Sequence, residues 1–127
     1  MGTLTAQHAT VRETGEPAID QGHLCRMTFG DRDLAQEVLQ LFDRQAVLLI
    51  ERMRKADGLG DGFAVGSLAH TLKGSAAGIG AGSVARAAEA AERAVANAPE
   101  GAAAAIDRLA QAVDEARTLI AALLREG

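Results

Sequence analysis

The chain has no tryptophan and no tyrosine, and aromatic residues make up only 2% of its 127 positions. That removes the stacking platforms on which single-stranded nucleic acids are held. Cationic residues are outnumbered, 13 Lys and Arg against 17 Asp and Glu, for a formal net charge of −4. Neutralising a phosphate backbone needs a basic face, so the reading is no nucleic-acid partner. A single cysteine, Cys25, excludes a disulfide framework or a thiolate zinc cluster within one chain. No apolar run approaches the roughly 18 residues needed to cross a bilayer. The opening "MGTLTAQHATVRETGE" lacks the hydrophobic region of a signal peptide. Together these absences predict a soluble cytoplasmic protein with no membrane association. Period-two alternation is missing as well, which leaves no candidate strand.

What remains is helical. Hydrophobic residues at 48% and charged residues at 24% suit one globular domain. Residues 1–18 read as a flexible tail and 19–127 as the domain. A short helix is predicted around Ile19 to Met27, stopping at Gly30, and Asp31 stands where an N-cap belongs. In the segment that follows, Leu34, Val38, Leu41, Gln45, Leu48 and Arg52 form one ridge, widened by Phe42, Leu49 and Met53 into a broad apolar face. Glycines in "ADGLGDG" end it. From about Asp61 to Ile79, the positions Val65, Ala69, Leu72, Ala76 and Ile79 recur at the spacing of one narrow buried stripe. Ser83 is the predicted N-cap of "VARAAEAAERAVANA", which should stop before Pro99. A last helix is predicted from Ala102 to Leu124, with Ile106, Leu109, Val113, Ile120 and Leu123 inward. The fold class is all-α: an antiparallel up-down four-helix bundle with a short extra N-terminal helix.

One stretch, "AHTLKGSAAGIG" from Ala69 to Gly80, carries the chemistry. It is not a P-loop, because Lys73 precedes Gly74 where that motif needs lysine after its second glycine. "GAGSVA", Gly80 to Ala85, fits a dinucleotide fingerprint, with Glu100 twenty residues past Gly80. That fingerprint has meaning only after a strand, and the preceding residues are helical. On a helix, His70 lies about 100° from the Ala69 stripe, beside the seam rather than in it. Gly66, Ser67, Lys73 and Gly74 share its face. Each interior helical glycine costs about 1 kcal/mol against alanine, so two around one histidine argue for access by another protein. Lys73 supplies a positive charge. No His, Cys or carboxylate falls three or four positions from His70, as a metal site would need, and no nucleophile elbow is present. His8 and His23 read as ordinary surface histidines. A lone accessible histidine without an orienting carboxylate suits a carrier that takes a group and gives it up again.

The residues His70, Leu72, Lys73, Gly74, Ser75 and Gly80 resemble the signature H-x-L-K-G-S-x-x-x-x-G of histidine-containing phosphotransfer (HPt) domains, the carriers of bacterial two-component phosphorelays. The similarity extends over about residues 19–124. It implies that His70 accepts a phosphoryl group on its outward ring nitrogen, that Lys73 stabilises the phosphoryl charge, that Gly74 leaves room for it and that Gly80 ends the helix. It implies receiver domains of response regulators or hybrid histidine kinases as partners. It also implies no kinase activity, no cofactor beyond Mg²⁺ supplied by the receiver, and a monomer. The alternative is a non-catalytic helical adaptor that binds receivers without carrying phosphate.

Overall fold

A computed structural model describes residues 17–126. The expected tail, residues 1–18, therefore lies outside the described residues except for Pro17 and Ala18. Among the described residues the protein is all-α: α1 (Gln21–Met27), α2 (Arg32–Gly58), α3 (Gly62–Ile79), α4 (Gly82–Asn97) and α5 (Ala102–Glu126), with a 3-10 turn at Pro99–Gly101 leading into α5. Three aspartates start helices. Asp20, Asp31 and Asp61 accept the backbone N–H groups of His23, Leu34 and Ala64 at 3.0, 3.1 and 3.0 Å, satisfying donors a helix start leaves unpaired. The "GAGSVA" segment joins α3 to α4 and is flanked by helix on both sides, so the dinucleotide reading has no strand to rest on.

The helices pack in a circuit. α2 lies against α3, α3 against α4, α4 against α5, and α5 returns to α2, while α1 rests on α3. The α3 stripe behaves as its spacing predicts: Val65, Ala69, Leu72 and Ala76 have no exposed surface and Ile79 almost none. Opposite it, Val84, Ala88 and Ala91 of α4 are also fully buried. Alanines on that face let the two backbones come close, and Gly66 allows it further. A Cβ at Gly66 would stand 3.2 Å from Val95 Cγ2.

Two expectations are corrected here. The buried face of α2 is Leu39, Phe42, Ala46, Leu49, Ile50, Met53 and Ala56, not the Leu34-to-Arg52 ridge. Leu41 is 59% exposed and Leu48 45%. The cause is the roll of the helix. Burial of Phe42, Ala46, Leu49 and Met53 against the other helices sets it, and Asp43 and Arg54, at the edge of that face, then reach Arg117 and Asp107 of α5, each at 2.8 Å. Leu41 and Leu48 sit one residue earlier, about 100° away. Ser83 is not an N-cap either. The turn after α3 is so tight that Ala81 occupies the cap position, without a side-chain cap hydrogen bond. Ser83 falls inside the first turn, buried, its hydroxyl without a hydrogen-bond partner. Smaller differences are the start of α1 at Gln21 and the extension of α5 to Glu126. No described helix is long and apolar enough to cross a membrane.

Candidate functional site

Despite its glycines, the segment leading to His70 is helical from Gly62 onward, because Asp61 caps it and the apolar stripe anchors it. The far end is closed by Gly80 at φ +83°. Here glycine is required twice over, by the left-handed backbone and by the carbonyl oxygen of Asp20, which a Cβ would approach to 2.8 Å. α1 ties itself to this end. The Asp20 N–H donates to the Gly80 carbonyl at 2.9 Å, and His23 Nε2 lies 3.2 Å from the Gly78 carbonyl. His23, read from sequence as an ordinary surface histidine, thus braces the helix that carries His70.

His70 stands near the middle of α3 with 66% of its side chain exposed. Lys73, one turn on, is half-buried. Between them reaches a residue that sequence reasoning missed, Glu92 of α4. Its Oε2 lies 3.1 Å from His70 Nδ1 and its Oε1 lies 3.3 Å from Lys73 Nζ. The expectation of a histidine without an orienting carboxylate is therefore wrong. The partner lies 22 residues away in sequence, on the neighbouring helix, where a search three or four positions from His70 cannot find it. Burial against α3 works to raise the Glu92 carboxyl, but hydrogen bonding and charge from Lys73, joined by His70, outweigh it, and the group titrates below the ordinary glutamate value. His70 Nε2 has no hydrogen-bond partner among the described residues.

The glycines on this face divide by task. A Cβ at Gly74 would meet nothing within 4 Å, so the fold does not demand glycine there and the space in front of it is open. Gly66, expected to clear room beside the imidazole, instead lies against Val95 and serves the approach of α4. Together with Phe63, Ser67 and Val95 it lines an open cleft between α3 and α4 that reaches His70 and Glu92. Phe63 is 89% exposed. On α2, the exposed Leu41 and Leu48 stand on the flank away from Asp43, about 160° and 140° around the axis from it.

What the arrangement offers is an accessible imidazole held at one nitrogen, a cation one turn away and an open, partly apolar surround. The family model described as "Hpt domain" matches residues 33–124. No curated protein and no solved structure matches the chain.

Proposed function

The chain belongs to the Hpt domain family, whose members carry out histidine phosphotransfer in two-component signalling, and from that premise we propose that it is a phosphorelay intermediate acting through His70. Its phosphoryl donor is a receiver-domain aspartyl phosphate and its acceptor a second receiver aspartate. The observation that carries this reading is the half-tethered, outward imidazole, with Nδ1 held by Glu92 and Nε2 open beside a glycine whose Cβ position is empty.

Phosphoryl transfer asks a protein for placement and charge rather than covalent chemistry of its own. The Nε2 lone pair attacks phosphorus, and the bond from phosphorus to the aspartate oxygen breaks with its electron pair left on the carboxylate. Lys73 stabilises the phosphoryl oxygens. The receiver supplies Mg²⁺. Residues 19–127 form the carrier domain, its four long helices running up and down around the packing circuit, and it works as a cytoplasmic monomer. Receivers dock on the apolar surround of His70, with Phe63 of the same cleft and the exposed Leu41 and Leu48 of α2 contributing to the patch.

Incubation with a phosphorylated receiver tests the reading. Label should appear on this protein in acid-labile, base-stable form, and His70→Gln should abolish it. Normal labelling of that variant would sink the assignment. Stable receiver binding with no phosphohistidine at all would favour the adaptor instead.

A further inference from the structure

We propose that the exposed flank of α2 pairs with the same flank of a second copy of this chain, in a weak symmetric dimer that holds the carrier idle. The flank carries Leu34, Leu41 and Leu48, which repeat every seven residues and so keep to one side of the helix. The fold leaves this regular ridge outside: Leu41 is 59% exposed and Leu48 45%. Around the helix axis those two stand within about 20° of each other, with Glu37 and Arg52 within about 40° of both. Glu37, Arg44, Arg52 and Lys55 are exposed as well, and none of them has an ion-pair partner among the described residues. Asp43 and Arg54 of the same helix, by contrast, find theirs on α5.

The order of the residues identifies the occupant. A two-fold axis passing between Arg44 and Gln45 sets two copies of α2 antiparallel. Each residue then meets the one that stands equally far on the other side of the axis. Leu41 meets Leu48 of the second copy, about 5 Å along the helix from the axis, and Glu37 meets its Arg52, about 11 Å out. Farther still, Leu34 meets the aliphatic stem of Lys55. Every contact occurs twice, as an interface between identical surfaces requires. Two leucine pairs therefore form the centre, and two pairs of opposite charge flank them. The like-charge approach of Arg44 to its own copy at the axis is outnumbered by those two pairs. A different partner would need no such internal symmetry in α2, whereas a second copy does.

The contact spans about six turns of one helix from each copy. That places it at the small end of specific interfaces, below about 1,200 Å², so the pair forms and parts readily. Its leucines are the ones that the proposed function gives to the receiver. On that reading, on which this consequence rests, a receiver has to displace the second copy, and pairing keeps the carrier out of exchange until one arrives.

Sedimentation equilibrium of the full chain, from on the order of 10 μM to 1 mM, should show the mass rising from the 13.1 kDa monomer toward twice that value. Glu37→Arg places like charges in both outer pairs and should weaken association on the order of tenfold, and Arg52→Glu should do the same. Mixed in equal amounts, the two variants should associate again, because every outer pair between them is then of opposite charge. A chain carrying both changes should also recover. Leu41→Glu combined with Leu48→Glu should stay monomeric, and thermal melts by circular dichroism should show all variants folded. A wild type that is monomeric throughout overturns the inference, as do single charge variants that associate like the wild type, or a mixture that does not recover. Adding the unphosphorylated form of a receiver that labels His70 should split the pair. A receiver that binds and leaves the pair intact removes Leu41 and Leu48 from the docking surface, which is a failure of the function proposed above and not of the pairing.

Discussion

Gly74 is exposed in the interior of α3, and a methyl group built on its Cα meets no atom within 4 Å. Helical glycine costs about 1 kcal/mol relative to alanine through lost backbone entropy. Gly74→Ala should therefore stabilise the protein by about 1 kcal/mol, raising Tm by roughly 4 °C for a domain of this size. Urea denaturation followed by far-ultraviolet circular dichroism measures the gain. On the proposed function, the same methyl group projects beside His70 into the space a docking receiver would enter. Displacing the reacting groups by about 1 Å costs on the order of 10²-fold in rate, so phosphotransfer should collapse in a protein that is more stable than wild type. Two other glycines of the same helix calibrate the argument. Gly66→Ala should show no net gain, since its Cβ would press to 3.2 Å on Val95. Gly78→Ala, in equally open space but about 12 Å along the axis from His70, should stabilise modestly and transfer normally. If Gly74→Ala destabilises the fold, or transfers at the wild-type rate, the division between packing and access glycines is wrong.

Lys73→Ala removes the cation that does most to hold Glu92 low, so the Glu92 carboxyl should titrate at higher pH in the variant, read from its side-chain carbon-13 shift. The sign for the wild type follows from the depressed value: the Glu92 contacts are intact at neutral pH and are lost as pH falls through that lowered value, below the ordinary glutamate range. An unmoved titration would remove Lys73 as the cause. Leu41→Glu combined with Leu48→Glu changes two exposed side chains and should leave stability within about 0.5 kcal/mol per site. It should raise the receiver concentration needed for half-maximal transfer, and an unchanged concentration dependence would take the α2 flank out of the docking surface.

Legibility differed from element to element for physical reasons. α3 could be read to the residue, because a stripe at Val65, Ala69, Leu72, Ala76 and Ile79 leaves one orientation that buries every member. α2 could not. Its apolar residues spread over a face wide enough to permit several rolls, and the choice among them is made by how α3 and α5 pack against it, with Asp43 and Arg54 meeting partners 74 and 53 residues away on α5 at the edge of that contact. Ser83 misled because it has the chemistry of a cap but stands two residues past the position the tight turn selects. The motif residues were legible from their local pattern. Their geometry was not, since it depends on how close α4 comes.

Glu92 shows where a stronger reading was available. The turn between α3 and α4 centres on Ala81, the residue between Gly80 and Gly82. In an antiparallel hairpin, residues equidistant from the turn lie side by side. His70 stands eleven residues before Ala81 and Glu92 eleven after it. The approximate mirror pair of Gly66 is found in the same way at Val95, where the structure puts its nearest contact. The glycine and alanines along this seam bring the backbones close enough for a glutamate to span the gap and take hold of both His70 and Lys73. Small residues in this motif therefore act at two distances. Gly74 leaves open space one turn beyond the imidazole, and Gly66, four residues before His70, lets α4 come close enough for Glu92 to reach the ring.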